Sequence, residues 1–197
     1  MLIEHLGSIQ ALFAAAAGAD GFDIANKLAS ALISFSEWMR MVRTFNLIDK
    51  EFTVRDASLA FVWSRMRVID DTAKRSRAKL ENLSVEDFYE ALIHVSMMKA
   101  LPTDEEIADA DAEDAGDFLI RMRAENPAGI DVWIAANAAR WDTPPRQPTH
   151  RCLAHLLSLL MRTVLEHVRV NPPKPGEKLV VSQKQCRQFL SGSVMAA

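Results

Sequence analysis

Proline is missing from the first half of this sequence: none of residues 1–101 is proline, and all eight prolines lie between Pro102 and Pro175. Because proline interrupts helices, its absence allows the N-terminal half to consist almost entirely of helices and tight turns. Glycine is also scarce, with 7 residues in a chain of 197, which leaves little capacity for a glycine-rich loop that cradles phosphate.

Sequence patterns that carry catalytic or metal chemistry are missing as well. The chain contains no GxSxG, P-loop, GxGxxG or HExxH pattern, and no two of its five histidines lie four residues apart. Its two cysteines, Cys152 and Cys186, lie in different segments without a CxxC pattern, which is typical of a reduced intracellular protein. We therefore predict a protein that is not an enzyme and has no catalytic residue, no metal ligand and no cofactor.

Long apolar runs and a strong excess of charge are also absent. The longest apolar run near the start, residues 11–17, is too short to span a bilayer, and no basic segment precedes it as in a secretory signal. A net charge of −3 and a pI near 6.0 argue against a nucleic-acid-binding protein. We expect a folded cytoplasmic protein that binds neither nucleic acid nor membrane, with an apolar fraction of 49% that is ample for a core.

Apolar residues recur at helical spacing along most of the chain, which predicts an all-α fold. We predict an N-terminal helical module over residues 1–101 and a helical extension over residues 102–197. The module is expected to contain helices near residues 2–13, 35–45, 53–66 and 84–98. The extension is expected to contain one long acidic helix from Thr103 to Arg123, a short helix at 130–141, a proline-rich linker near 144–148, an amphipathic helix at 149–169 and a short helix at 182–190.

The predicted helix at 53–66 is apolar on two sides. Val54, Ala57 and Phe61 form one stripe, and a second stripe contains Leu59, Val62, Trp63 and Met66. A helix that is apolar most of the way round is expected to be buried on both sides, either by the C-terminal helices or by a partner protein.

A short phrase occurs twice, at residues 33–38 and 83–88, and each copy reads apolar, Ser, apolar, polar, acidic, aromatic. This order is typical of the exit from an EF-hand loop, where Glu37 and Asp87 would occupy position 12. The residues at ligand positions 1, 3 and 5 are then Asn26, Leu28 and Ser30 in the first loop, and Ser76, Ala78 and Leu80 in the second. Because leucine and alanine cannot ligate calcium, we predict that both loops are calcium-silent.

The segment from residue 65 to residue 79 is basic, with six bases against Asp70 and Asp71. It is interpreted either as a solvated loop or as a contact for an acidic surface, such as an acidic tubulin tail or the chain's own acidic 104–117 segment. The candidate electrostatic contacts are Arg65, Arg67, Lys74, Arg75, Arg77 and Lys79.

The amino-acid sequences of three segments resemble a known family. Residues 45–61 (FNLIDKEFTVRDASLAF), 83–92 (LSVEDFYEAL) and 100–107 (ALPTDEEI) resemble the degenerate EF-hand pairs of ciliary and flagellar axonemal proteins. The resemblance covers residues 30–106 and includes no catalytic residue. It implies a structural or adaptor role in the axoneme, with other axonemal or cytoskeletal proteins as partners.

We predict that the helical module opens an apolar groove that accepts a helix, either from a partner or from the chain's own 149–169 segment. The candidate groove residues are Trp38, Phe61, Trp63, Phe88 and Met98, and the alternative is that these side chains form an ordinary core. Two other functions remain open: a calcium-responsive EF-hand regulatory protein and a cytosolic helical adaptor unrelated to cilia.

Overall fold

The computed structural model describes residues 2–17, 32–65, 72, 78, 80–139, 144–168 and 178–192. Over these residues the regular structure is helical, which confirms the all-α class. The helices are α1 (Leu2–Ala16), α2 (Phe35–Thr44), α3 (Val54–Trp63), α4 (Val85–Met98), α5 (Asp104–Asp109), α6 (Ala115–Glu125), α7 (Pro127–Ala136), α8 (Thr149–His167) and α9 (Gln183–Gly192). None of the helices in this part of the chain is both long enough and apolar enough to cross a membrane.

The two copies of the repeated phrase lie side by side. The Ile33 amide donates to the Leu83 carbonyl over 2.9 Å, and the Leu83 amide donates to the Ile33 carbonyl over 2.8 Å, which makes an antiparallel bridge. The bridge brings together the starts of α2 and α4. The two copies of the phrase therefore form the same local structure, a bridge residue followed by a helix start, and they pair with each other.

Both helices that follow the bridge begin with the same capping box. The Ser34 amide donates to the Glu37 carboxylate over 2.8 Å, and the Ser84 amide donates to the Asp87 carboxylate over 2.8 Å. In return each serine Oγ accepts from the backbone amide of the acidic residue over 3.3 Å. These paired bonds satisfy backbone donors that a helix start leaves open, and they fix where α2 and α4 begin.

Aromatic side chains fill the interior of the N-terminal half. Trp38 is completely buried, and its indole Nε1 donates to the Ala57 carbonyl over 2.9 Å, which joins α2 to α3. Its ring meets Phe88 of α4 edge to face at 6.2 Å, and Phe88 contacts Phe13 of α1 at 5.6 Å. Residues from four helices thus meet at one cluster.

The C-terminal helices pack on the N-terminal half. Helix α8 packs against α4 and α6, while α9 lies against α1. The close approach of α6 to α8 depends on Gly116, since a Cβ at this position would lie 2.8 Å from the Ser158 carbonyl oxygen. Buried side chains from both halves form one continuous core, so helices beyond residue 101 cover the predicted module within the same chain.

The prediction of one long acidic helix from Thr103 to Arg123 is wrong. Helix α5 ends at Asp109, and Asp111 adopts a left-handed backbone with φ of 49°. The Asp114 carboxylate then accepts hydrogen bonds from the Gly116 and Asp117 amides and starts α6. The run of acids therefore contains a helix end and a new N-cap, the position where aspartate is favoured.

Several predicted boundaries also need correction, whereas α8 and α9 lie close to their predicted ranges. Helix α7 begins at Pro127 and not at residue 130, because Asn126 caps it and proline is well suited to a first helical position. Helix α3 ends at Trp63, short of residue 66, which is outside the described residues. The proline-rich segment is non-helical as predicted, but it is not a free linker: Gln147 Nε2 donates to the Pro102 carbonyl over 3.0 Å.

Candidate partner-binding cleft

A cleft of about 480 Å³ opens between the two halves of the chain. One side is formed by the ends of α3 and α4, and the other by residues 137–139, residues 144–147 and the start of α8. We call it the Trp63 cleft, after its most prominent side chain. Its volume falls in the range of pockets that bind small ligands or the anchoring side chains of a partner.

Partly exposed apolar side chains line this cleft. Trp63 is 43% exposed, and its ring meets that of His94 edge to face at 5.8 Å. Met97 and Met98, at the end of α4, are partly buried and border the same space. Because methionine is unbranched and polarizable, it adapts to differently shaped partners, and tryptophan provides a large contact area at a small entropic cost.

A buried ion pair lies beside these apolar walls. The Lys99 Nζ donates to Asp49 Oδ2 over 2.6 Å and to the Leu47 carbonyl over 2.7 Å, and it lies 5.7 Å from the centre of the Phe52 ring. Burial lowers the pKa of Lys99, although the Asp49 carboxylate opposes this shift. Burial by itself would raise the pKa of Asp49, but Lys99 and two backbone amides outweigh it and hold that pKa below its usual value.

The opposite wall is held in place by hydrogen bonds from the proline-rich segment. Arg146 Nη2 donates to Glu106 Oε1 over 2.8 Å, and the same carboxylate oxygen accepts from Trp133 Nε1 over 3.3 Å. Burial tends to raise the pKa of Glu106, but the hydrogen bonds from Arg146 and the Thr103 amide lower it overall. The wall is therefore hydrogen-bonded directly to α5, and it is connected to α7 through Glu106.

Most polar groups around the cleft already have partners inside the protein. Lys99, Arg146 and Gln147 donate to the groups described above, and Asp56 accepts from the Thr53 amide over 2.8 Å. The Cys152 thiol, whose pKa is raised by burial, hydrogen-bonds the Gln147 carbonyl at 3.7 Å. What the cleft offers to a binding partner is mainly its apolar surface, and such a site selects by shape and apolar area.

The structure distributes the five predicted groove residues between two environments. Trp38, Phe61 and Phe88 are buried in the interior, where they correspond to the alternative interpretation of an ordinary core. Trp63 and Met98 line the cleft.

Sequence reasoning missed the residues on the opposite wall. Pro144, Pro145 and Arg146 belong to a segment without apolar periodicity, and nothing in their spacing shows that they lie opposite Trp63. The excess of proline was the only signal, and it predicted an extended backbone but not the place where that backbone would lie.

Of the six basic residues predicted as electrostatic contacts, only Arg65 is among the described residues. Its Nη1 donates to the Leu80 carbonyl over 2.9 Å, and its guanidinium lies 5.5 Å from the centre of the Phe61 ring. Arg65 is therefore used at least in part to hold the chain together. The other five, which are Arg67, Lys74, Arg75, Arg77 and Lys79, lie outside the described residues.

The acidic residues at position 12 of the two repeats are used as helix caps. Glu37 is 6% exposed and Asp87 is 3% exposed, and each carboxylate accepts from the amide three residues earlier. Within the described ranges, no group of three or more His, Cys, Asp or Glu side chains is placed to hold a metal ion.

Fold and cleft together define the class: an all-α protein whose two halves share one core and enclose an apolar cleft between them. Comparison with family models, curated proteins and solved structures found no match to this chain.

Proposed function

We propose that this chain is a non-enzymatic structural or adaptor subunit of a large cytoskeletal assembly, the ciliary or flagellar axoneme. It binds a segment of another axonemal protein through the Trp63 cleft. The observation that carries the proposal is the half-exposed Trp63 beside Met97 and Met98 in a cleft of about 480 Å³. Aromatic and methionine side chains are enriched at protein interfaces, and Trp63, Met97 and Met98 give the cleft a lining of this composition.

The N-terminal half is proposed to be a degenerate EF-hand pair that has kept its packing and lost its metal. The antiparallel bridge between Ile33 and Leu83 supports this, because paired EF-hand loops are joined by such a bridge. The two matching capping boxes also support it, since they place an acidic residue at the third position of each following helix. With Glu37 and Asp87 engaged as caps, binding at the Trp63 cleft is expected to be independent of calcium.

The proposed location in the axoneme rests on the resemblance of residues 45–61, 83–92 and 100–107 to axonemal EF-hand-like proteins. In the folded chain these segments cover residues 54–61 of α3, residues 85–92 of α4 and residues 104–107 of α5, together with the loops beside them. Of the residues that line the Trp63 cleft they include Glu51, Asp56 and Leu101, whereas Trp63, Met97 and Met98 lie outside them. The resemblance therefore supports the axonemal role and not the apolar wall of the cleft.

The proposal is tested by affinity purification of the tagged chain from ciliated cells, followed by mass spectrometry, in calcium and in chelator. We expect a defined set of axonemal proteins that is the same under both conditions and is lost with Trp63→Asp. Val132→Asp serves as the matched control, because Val132 is 71% exposed on α7 and lies outside the cleft.

Three outcomes would contradict the proposal in different ways. A set recovered only in calcium would indicate a calcium-responsive regulator. Recovery of cytosolic proteins alone would contradict an axonemal location but not binding through the cleft. Equal recovery with Trp63→Asp and wild type would exclude the cleft as the binding site.

A further inference from the structure

A second groove lies on the outer face of the hairpin formed by α2 and α3. It has a volume of about 430 Å³ and is lined by six residues of α2, from Phe35 to Thr44, and by Val54 of α3. The two helices run antiparallel, because Phe35 contacts Phe61 near one end while Thr44 and Val54 border the groove near the other. The groove shares no lining residue with the Trp63 cleft.

Large apolar side chains are exposed along this face. Phe35 is 45% exposed and Val54 is 47% exposed, and both line the groove. The Phe35 ring is supported from beneath by the buried Phe61 in an edge-to-face contact at 5.2 Å, so the exposed ring is held in a defined orientation.

Among the described residues that line this groove, the charged side chains are arginines. Arg40 and Arg43 line the groove, and Arg55 follows Val54 on the exposed side of α3. The only carboxylates in these two fully described helices are Glu37 and Asp56, and each accepts from the backbone amide at its own helix start over 2.8 Å. Neither Arg43 nor Arg55 forms an ion pair with any residue that the structure describes.

We propose that this α2–α3 face is a second protein-binding site, and that its partner is an acidic amphipathic helix of another protein. The apolar residues Phe35 and Val54 would contact the apolar side of that helix, and Arg43 and Arg55 would meet its carboxylates. Helix α2 has 10 residues, which corresponds to a length of about 15 Å, so the face accommodates about three turns of a bound helix. The positive charge of Arg43 and Arg55 favours an acidic partner over a basic one. This site is additional to the Trp63 cleft and does not depend on the proposed axonemal role.

The experiment is to pan a displayed library of helical peptides of about 11 residues against the full chain. The dissociation constants of the enriched peptides are then measured for wild type and variants. We expect enriched peptides to carry Asp or Glu beside apolar residues at i and i+4, and to bind more weakly as salt is raised. Arg43→Glu and Phe35→Ala are expected to weaken binding about tenfold or more.

Matched variants separate this face from the rest of the surface. Arg187→Glu reverses an exposed charge on α9, Val132→Ala truncates an exposed valine on α7, and Trp63→Ala alters the other cleft, so all three are expected to bind like wild type. Enrichment of basic or uncharged peptides, failure to enrich any peptide, or binding that is indifferent to Arg43→Glu would overturn the proposal. Concentration-dependent self-association that is lost with Arg43→Glu would assign the face to a second copy of the chain and would also overturn it.

Discussion

Arg162 of α8 donates from Nε to Asp114 Oδ2 over 2.6 Å, while its Nη2 contacts Glu113 Oε2 at 2.5 Å. The Asp114 carboxylate also caps α6, so one arginine fixes the loop at which the acidic segment changes direction. The Arg162 side chain is 7% exposed, and its charge would be costly to bury without these two partners. This contact joins the longest helix of the C-terminal half to the loop between α5 and α6.

Replacing Arg162 by methionine is expected to destabilise the protein by about 3 kcal/mol, because two carboxylates lose their common partner. Arg121→Met is the control. The Arg121 side chain is 45% exposed and lies 3.6 Å from Asp117, so the free energy of unfolding should fall by no more than about 0.5 kcal/mol. Urea unfolding followed by circular dichroism measures both values. Equal losses for the two variants would show that Arg162 does not have the structural role assigned to it.

The glycine at the contact between α6 and α8 gives a second prediction. Gly116→Ala would place a Cβ 2.8 Å from the backbone oxygen of Ser158, so we expect a loss of about 1–3 kcal/mol. Gly7→Ala, in α1, meets nothing within 4 Å and is expected to stabilise the helix by about 0.5–1 kcal/mol. Thermal unfolding of the two variants should shift in opposite directions, and a common direction would contradict the packing described for Gly116.

These residues also show how far the sequence predicts the fold. Helical spacing of apolar residues acts locally, and it correctly predicted α2, α4 and α8. The break between α5 and α6 was missed because it depends partly on Arg162, which lies 48 residues from Asp114 in the chain. The acidic run alone is compatible with a single helix. The N-cap at Asp114 and its ion pair with the distant Arg162 divide it into two helices.

The candidate site was predicted only in part, for a similar reason. Trp63 and Met98 belong to helices with a clear apolar pattern and could be proposed as surface contacts. Pro144 and Arg146 reach the cleft only because the chain folds back over residues 101–106, where Arg146 bonds Glu106. Core and groove also look alike in sequence, which is why Trp38 and Phe88 were proposed beside Trp63.

The Lys99–Asp49 pair makes stability depend on pH. The pKa of Asp49 is lower in the folded protein than in the unfolded chain, so its contribution is present above the unfolded pKa and is lost as pH falls through the folded pKa. Asp49→Asn should therefore be less stable than wild type by about 3 kcal/mol at neutral pH, and the difference should shrink below about pH 4.

Urea unfolding over a series of pH values measures this difference. Asp131→Asn, which also removes one negative charge but from an exposed pair with Lys50, controls for the change in net charge. A difference between wild type and Asp49→Asn that stays constant down to about pH 2 would contradict a pKa lowered by Lys99.

Both thiols are expected to react slowly in the native protein. Burial raises the pKa of Cys152, and burial raises the pKa of Cys186 to about 11, so little thiolate is present near neutral pH. Labelling with a thiol-reactive dye at pH 8 should be slow without denaturant and complete in urea. Rapid labelling of either cysteine in the native state would show that the surrounding helices do not cover it.

The most direct measurement for the central claim is site-specific photo-crosslinking in ciliated cells. A photoreactive amino acid is placed at Met98, on the wall of the Trp63 cleft, and in a separate chain at Val132, on the exposed side of α7. Our account predicts that position 98 crosslinks to a defined axonemal protein, that position 132 does not, and that Trp63→Asp abolishes the product. Crosslinks from position 98 that remain within the chain, or that match those from position 132, would contradict a partner bound in the cleft.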